Sequence, residues 1–285
     1  MSGLDIVTFV SDSGWGGGYV AVCEAMVVRI RPEARVFHIS HEVPVGDIAA
    51  GALTLERIAP LFPPAVHLAV VDPGVGTSRR PLALTTARGD ALVGPDNGLL
   101  LAAAEALGGV SAAWLLDPAL VRAKAGLPVG QVSSTFHGRD VFAPAAALLA
   151  ATADPSPLGA PVNPGTLVRL SPPLVEATRS GALSQVIEID RFGNVGLALR
   201  FADLAPHEGR FLVEIVGEEL PEWTARVVRT YGELGSGELG VYCDSWGQAA
   251  LALKSASAAQ LLSVDRGMKV RLTAVEDSPP AEAPA

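Results

Sequence analysis

In the first half of the chain, continuous apolar runs alternate with segments whose apolar residues have helical spacing. Continuous apolar runs such as "DIVTFVSD" and "AVHLAVVDP" are typical of strands buried on both faces. Between them, "YVAVCEAMVVRI" and "DIAAGALTLERIAPLF" have the spacing of amphipathic helices. Because strands and helices alternate, residues 1–153 are predicted to form an α/β domain with a largely parallel sheet.

The pattern changes after a segment rich in proline, glycine and serine, which predicts a linker over residues 154–173. "SQVIEIDRFGNVGLALR" then predicts a hairpin. Further short strands are predicted in "RFLVEIV", "ARVVRTYGEL", "ELGVYCDSWG", "AALALK" and "KVRLTAV". We therefore expect a small β-barrel domain over residues 174–275, followed by a disordered tail, "EDSPPAEAPA", over residues 276–285.

Composition and charge narrow the class of partner. The 285 residues are 49% hydrophobic with a formal net charge of −9 and no basic cluster, so no nucleic-acid partner is expected. Cys23 and Cys243 lack CxxC spacing, and the sequence shows no signal peptide and no apolar run of membrane-spanning length. These features predict a cytoplasmic protein with free thiols.

Three polar stretches follow predicted strands, at the edge where open α/β sheets bind ligands. Asp12 in "SDSGWGGGY" can accept two ribose hydroxyls or cap the next helix. Asp72 and Arg79 in "VVDPGVGTSRR" can form an ordinary ion pair across a turn or take part in chemistry. His137 in "SSTFHGRD" precedes a predicted helix, where it can be a capping or packing residue or a reactive one.

Other patterns point away from familiar sites. "GPDNG" at residues 94–98 predicts a tight turn and a helix cap. His38 and His41 in "HISH" would lie on opposite faces of a strand, so no metal site is expected there. The chain has no GxSxG elbow, and its first glycine loop matches neither GxGxxG nor a P-loop.

Five motifs in order, "FVSDSG", "VVDPGVGTSRR", "GPDNGLL", "FHGRDVFAPAAA" and "DRFGN", resemble those of the S-adenosyl-L-methionine (SAM) hydrolases that form adenosine. These SAM hydroxide adenosyltransferases are related to the fluorinase and chlorinase. The resemblance covers about residues 5–275. It implies an α/β domain joined to a small β-barrel, SAM as substrate without a cofactor or metal, and adenosine and methionine as products. It also implies a homotrimer that holds each substrate between the N-terminal domain of one subunit and the C-terminal domain of its neighbour.

The resemblance further implies roles for individual residues. Asp72, Arg79 and His137 match a triad around the attacking water. The residues that match substrate contacts are Asp12 (the ribose diol), Asp190 (the methionine ammonium), Asn194 (near the adenine) and Ser245 (the methionine end). The chain departs from many relatives at "GWGGG", where they have an acid, and after "DSWG".

The implied chemistry needs a base but no general acid, because the leaving group is a neutral thioether while the attacking water must lose a proton. Asp72 and His137 can both accept hydrogen bonds from that water, and Arg79 would keep Asp72 ionised but lower its basicity. Which of the two takes the proton is left open.

Two alternative functions are a SAM-dependent halogenase and a non-catalytic module that binds adenosyl compounds. Halide needs no base and is repelled by a carboxylate. The halogenases place an aromatic residue where Asp72 stands, and the fluorinase has a serine where Gly138 stands. A binding module would have no use for a triad that activates water.

Overall fold

The computed structural model of the protein describes residues 3–130, 132–205 and 208–275. The chain divides into two compact units, Met1–Leu170 and Ser171–Ala285. The tail predicted over residues 276–285 lies outside the described residues.

The first unit is built on a seven-stranded sheet with the order β2-β1-β3-β5-β4-β6-β7. Strands β2, β1, β3, β5 and β6 run in one direction, and β4 and β7 run in the other. The predicted α/β domain with a largely parallel sheet is therefore confirmed. The strands are β1 (Ile6–Ser11), β2 (Arg35–Ser40), β3 (Val66–Val70), β4 (Pro81–Thr86), β5 (Ala91–Pro95), β6 (Val110–Leu116) and β7 (Gly159–Val162).

Helices cover both faces of this sheet. Along β1, Val7 and Phe9 pack in the core that contains α1 and α5, whereas Val10 belongs to the core that contains α2 and α3. Successive side chains of a strand point to opposite faces, and both faces are covered by helices. Every residue of β1 is therefore buried, as its continuous apolar run predicts. The helices are α1 (Tyr19–Ile30), α2 (Ile48–Ile58), α3 (Leu101–Ala106), α4 (Pro118–Lys124) and α5 (Ala143–Thr152).

Two local features of this unit differ from the sequence pattern. Gly159–Val162, within the predicted linker, forms the edge strand β7 by pairing with β6. The helix predicted from "GRDVFAPAAALLAA" begins as a π-helical turn, Gly138–Phe142, in which the Ala143 N–H donates to the Gly138 carbonyl. Pro144 follows this turn and has no N–H to donate back to residue 140, which weakens α-helical bonding at that point.

The second unit is a barrel of seven strands, which pair in the order β9-β15-β11-β12-β13-β14-β10. Pairing of β10 with β9 closes the barrel, and an eighth strand, β8, pairs with β9 as well. This confirms the predicted small β-barrel. Alternate residues of its strands point inward, among them Phe211 and Val213, which form the core with Leu272. The strands are β8 (Val175–Thr178), β9 (Gly181–Ile189), β10 (Val195–Arg200), β11 (Arg210–Ile215), β12 (Trp223–Val227), β13 (Leu239–Cys243), β14 (Gln248–Leu253) and β15 (Lys269–Val275).

The barrel adds two features that the sequence pattern did not predict. The strand predicted from "ARVVRTYGEL" ends at Val227, and Tyr231–Glu233 forms a 3₁₀ turn instead. A short helix, α6 (Ala258–Leu262), begins after Ser257, whose hydroxyl accepts a hydrogen bond from the Gln260 N–H. Within the described part of the chain, no helix is long and apolar enough to cross a membrane.

Candidate active site

Two aspartates follow neighbouring parallel strands at the same edge of the first sheet. Asp12 comes directly after β1, and Asp72 comes two residues after the end of β3. Ser11 and Val70 are paired in the β1–β3 ladder, so the chain leaves both strands side by side. This carboxyl edge is where an open α/β sheet binds ligands.

The turn after Asp72 returns Arg79 to it. The Arg79 guanidinium donates through Nε to Asp72 Oδ1 at 3.0 Å and through Nη2 to Asp72 Oδ2. The turn is held by the Thr77 hydroxyl, which donates to the Gly74 carbonyl at 2.7 Å. Gly76 has φ +76° and lies so close to Ser134 that a Cβ would sit 2.3 Å from its carbonyl oxygen. Asp72 and Arg79 thus form a bidentate ion pair, and their side chains are only 6% and 7% exposed.

His137 completes the group from a different part of the chain. Its Nδ1 lies 3.0 Å from Arg79 Nη2. A guanidinium only donates hydrogen bonds, so Nδ1 must accept, and a neutral His137 carries its proton on Nε2. The sequence led us to expect His137 to accept from the water, but in this tautomer its second nitrogen donates instead.

Burial and charge set the protonation of the group. Burial raises the pKa of Asp72, and the Arg79 guanidinium opposes that rise. Burial and the neighbouring positive charge of Arg79 lower the pKa of His137, so the imidazole is neutral near pH 7. A basic carboxylate beside a neutral imidazole suits the removal of a proton.

One nitrogen of Arg79 lacks a hydrogen-bond partner in the described part of the chain. Arg79 Nη1 is buried and has no hydrogen-bond partner within residues 3–130, 132–205 and 208–275. The guanidinium carbon lies 5.2 Å from the centre of the Phe142 ring, which adds a cation–π contact to its other restraints. A buried N–H without a partner is costly, so this atom is an unused donor next to the Asp72 carboxylate.

A second ion cluster positions the segment that includes His137. The buried Asp140 carboxylate accepts hydrogen bonds from Arg122 at 3.2 Å, from Arg139 at 2.8 Å and from the Ser133 N–H at 2.8 Å. Burial opposes ionisation of Asp140, but the bonds from Arg139 and Ser133 hold its pKa below the usual range. This cluster was not singled out in the sequence, although "FHGRD" contains two of its members.

Asp12 does not cap the helix that follows it. Helix α1 begins after Gly18 and has no side-chain cap. Asp12 Oδ2 instead accepts a hydrogen bond from the Gly46 N–H at 2.8 Å. Of the two roles open to Asp12 from the sequence, the helix cap is therefore excluded by this geometry.

A cavity of about 280 Å³ lies at this edge of the sheet. Asp12, Asp72 and His137 all contribute to its wall, which is otherwise a mixture of apolar and hydroxyl side chains. The lining residues are Phe9, Ser11, Asp12, Ser13, Tyr19, Cys23, Val45, Gly46, Val70, Asp72, Pro73, Val75, Thr135, Phe136, His137 and Gly138.

The two histidines of "HISH" meet, contrary to the expectation that they lie on opposite faces. Strand β2 ends at Ser40, so His41 no longer follows the alternation of the strand. His38 Nδ1 lies 2.8 Å from His41 Nε2. No group of three or more His, Cys, Asp or Glu side chains suited to a metal ion occurs among the described residues.

The three residues predicted in the barrel also line one cavity, of about 300 Å³. Asp190 and Asn194 form a turn in which Asp190 Oδ2 accepts from the Asn194 side-chain amide at 2.7 Å. Ser245 joins them in the wall, together with Tyr242, whose pKa burial and the Asp190 charge raise to about 12. A cavity with this negative charge suits a cationic group such as an ammonium.

Both units match models of one protein family. The N-terminal domain of the SAM hydroxide adenosyltransferases matches residues 7–159, and the C-terminal domain matches residues 184–271. The chain belongs to this family. Its membership confirms the resemblance found in the sequence motifs.

Individual relatives agree with the family assignment. The chain is 46% identical to the (R)-S-adenosyl-L-methionine hydrolase of Salinispora tropica, over 94% of this chain and 97% of that protein. A fluorinase from an Actinoplanes species is 26% identical over 95% of this chain and 98% of its own length. The crystal structure of an uncharacterized conserved protein from Thermotoga maritima has a TM-score of 0.83 at 31% identity, over 94% of this chain and 99% of that one.

Proposed function

We propose that this member of the family hydrolyses SAM to adenosine and L-methionine by attack of water at C5′. The observation that best supports this reaction is the buried Asp72–Arg79 pair, bonded to His137 beside the cavity, with Arg79 Nη1 unpartnered within the described residues. Its relatives at 42–46% identity are named (R)-S-adenosyl-L-methionine hydrolases.

Asp72 is the base in this proposal. Each of its oxygens keeps a lone pair beyond the one that Arg79 occupies, and burial makes the carboxylate more basic than usual by raising its pKa. His137 donates from Nε2, and Arg79 donates from Nη1, to the oxygen that is losing its proton. The water is thereby oriented and its developing negative charge stabilised, while the proton goes to Asp72.

The leaving group needs no assistance. The oxygen–C5′ bond forms as the C5′–S bond breaks, and the electron pair of that bond goes to sulfur to give neutral methionine. An oxygen with negative character attacks a sulfonium, so charge is cancelled on the way to products. A cavity that excludes water favours such a step, and in-line placement of the water adds to it.

Substrate contacts and assembly are further parts of the proposal. Asp12 holds the ribose diol through its carboxylate, while Asp190, Asn194 and Ser245 bind the methionine and adenine ends. The chain works as a homotrimer in which Asp190, Asn194 and Ser245 are supplied by a neighbouring subunit. The thiols of Cys23 and Cys243 are free, which agrees with a cytoplasmic location. The proposed reaction uses no cofactor or metal and involves no nucleic acid.

A halogenase is less well supported. The buried Asp72 carboxylate would repel a halide, and the fluorinase relation is distant. A Cβ at Gly138 would lie 3.2 Å from the Phe136 ring and 3.3 Å from Cys23 Sγ, so a serine there would need both neighbours to shift. A pure binding module does not account for a carboxylate, a guanidinium and an imidazole bonded to one another beside a cavity.

Labelled water tests the reaction. Purified protein incubated with SAM in H₂¹⁸O should form adenosine that carries the label in its 5′-hydroxyl, with one methionine for each adenosine. The products are measured by chromatography and mass spectrometry. Chloride or fluoride should yield no halogenated nucleoside. Adenosine without label would contradict direct attack by water.

A further inference from the structure

The turn predicted from "GPDNG" lies beside the segment that carries Asp72. Strand β5 pairs with β3 as far as Val93 and Leu68. Beyond that pair, the Asn97 side chain links the continuations of the two strands, because its Nδ2 donates to the Val71 carbonyl at 2.9 Å. Val71 is fully buried and directly precedes Asp72. The proposed mechanism assigns no role to Asn97, which does not line the cavity.

The other half of the Asn97 amide is also fixed. Its Oδ1 accepts a hydrogen bond from the Leu99 N–H at 3.2 Å. The two bonds agree on the orientation of the amide, since only its nitrogen can donate to a carbonyl and only its oxygen can accept from an N–H. Helix α3 begins after Leu100 without a side-chain cap, so the helix cap predicted from this motif is absent. Asn97 closes a turn and bonds a neighbouring segment instead.

Asp96 holds this turn in place. Its side chain is only 3% exposed. Oδ2 accepts from Arg80 Nε at 2.7 Å, and Oδ1 accepts from the Val168 N–H at 2.9 Å. The Asp96 N–H donates to the Arg80 carbonyl at 2.9 Å. One turn is therefore bonded to the chain on both sides of the Asp72–Arg79 segment.

A bond to the Val71 carbonyl acts on Asp72 because the two residues share a peptide group. The carbonyl of Val71 and the N–H and Cα of Asp72 lie in one rigid plane. A fixed carbonyl therefore restrains the point and the direction from which the Asp72 side chain leaves the backbone. The carboxylate at the end of that side chain is bonded to Arg79, with Nε at 3.0 Å from Oδ1. Its position is thus set from the backbone as well as from the guanidinium.

Resting on the proposed hydrolysis, we propose that Asn97 is a positioning residue for Asp72, which acts through the Val71 carbonyl and holds the carboxylate where it can take the proton of the attacking water. Such a transfer depends on placement, and a misplacement of about 1 Å can cost roughly 10²-fold in rate. Because Asn97 lies outside the cavity, its loss should slow the chemical step and leave SAM binding unchanged.

Two variants of Asn97 separate its two bonds. Asn97→Ala loses both, whereas Asn97→Asp keeps an oxygen for the Leu99 N–H but has no donor for the Val71 carbonyl. Each should lower the single-turnover rate of SAM hydrolysis by about 10- to 100-fold, with the calorimetric affinity for SAM unchanged. Asn97→Asp is nearly identical in shape to the wild type, so it provides the test even if Asn97→Ala does not fold.

Asp154→Ala is the matched control for loss of a turn. The Asp154 side chain closes a turn in the same way, since its Oδ1 accepts from the Ser156 N–H, two residues along the chain, at 2.9 Å. Asp154 is exposed and does not line the cavity. Asp154→Ala should hydrolyse SAM at the wild-type rate. A loss of rate that it shares with the Asn97 variants would overturn the proposal.

A double mutant tests whether Asn97 acts through Asp72. In Asp72→Asn the carboxylate is already gone, so adding Asn97→Ala or Asn97→Asp should lower the remaining rate little further. A contribution to the fold alone would lower the rate by the same factor in both backgrounds, and that result would overturn the proposal. A wild-type rate in Asn97→Asp would overturn it as well, while hydrolysis by the wild-type protein stands. A wild-type protein that forms no adenosine would refute the proposed function, and the positioning role with it.

Discussion

Two groups of aspartate, arginine and histidine lie at opposite ends of strand β3, and they differ in whether their hydrogen bonds are complete. At its beginning, His67 bonds the Thr8 hydroxyl at 2.8 Å and Asp90 at 3.2 Å. Arg88 donates from Nε and Nη2 to Asp90, and from Nη1 and Nη2 to backbone carbonyls. Every polar side-chain nitrogen of this group has a partner.

The group beyond the other end of β3 is built from the same residue types but is incomplete. Arg79 bonds Asp72 and His137, yet its Nη1 has no partner in the described part of the chain. The two aspartates also differ in the direction in which their pKa is shifted. The bonds from Arg88 and His67 overcome burial and hold the pKa of Asp90 well below its usual range, whereas burial prevails over Arg79 and raises the pKa of Asp72.

The difference shows how one set of residues can serve two purposes. In the closed group around Asp90, the donors bond acceptors of the same group or the nearby backbone, and these bonds stabilise the start of β3. An open group keeps a basic carboxylate and an unused donor beside a cavity, at the edge where ligands bind. Residue types alone do not separate the two, but completeness of hydrogen bonding does.

Removal of the negative charge from the open group should have the largest effect on activity. Asp72→Asn keeps the shape but cannot take a proton, so the hydrolysis rate should fall by roughly 10²–10⁴-fold. SAM affinity, measured by calorimetry, should change little. Some stability should be lost, because Arg79 is left without its counter-ion in a nearly dry site. If Asp72→Asn hydrolyses SAM at the wild-type rate, Asp72 and Arg79 form only a salt bridge that stabilises the turn.

The pH dependence of the rate is the control for this variant. Activity of the wild-type protein should be lost as pH falls, because protonated Asp72 is no longer a base and protonated His137 would present a cation to Arg79. Burial and Arg79 lower the pKa of His137, so its part of the loss should occur below the ordinary value of about 6.5. In Asp72→Asn, the part of this loss that comes from Asp72 should disappear.

The closed group should show the opposite result. Asp90→Asn removes the negative charge of a side chain that is 0% exposed and leaves Arg88 and His67 one acceptor oxygen where there were two. The free energy of unfolding should fall by about 3–5 kcal/mol, as expected when one partner of a buried ion pair is lost. The rate per folded molecule should remain that of the wild type. Chemical denaturation and single-turnover kinetics on the same preparation would check both, and a stable but slow variant would contradict the contrast.

The sequence predicted the strands of both units well, because their apolar runs and alternating patterns result directly from burial on two faces or one. The motifs also pointed to Asp12, Asp72 and His137, which line one cavity. The sequence did not separate Asp72–Arg79 from an ordinary ion pair, since that depends on which donors remain unused after folding. The contact between His38 and His41 depends on where β2 ends, and closure of the barrel depends on pairing of strands, neither of which local periodicity determines.

A smaller effect is expected at Asp12, which lies beside the open group but outside its bonds to Arg79. Asp12→Ala removes a charge-assisted contact with the ribose and should weaken adenosine binding by about 1.5–3 kcal/mol, or roughly 10- to 150-fold. It also removes the acceptor of the Gly46 N–H, so the melting temperature should fall slightly. Asp12→Asn separates the two effects, because its amide oxygen can still accept from Gly46 while the charge is gone. Calorimetry should therefore find affinity reduced in both variants and stability reduced only in Asp12→Ala. If Asp12→Asn binds adenosine as tightly as the wild type, the carboxylate only supports the Gly46 loop, and ribose recognition must come from other residues.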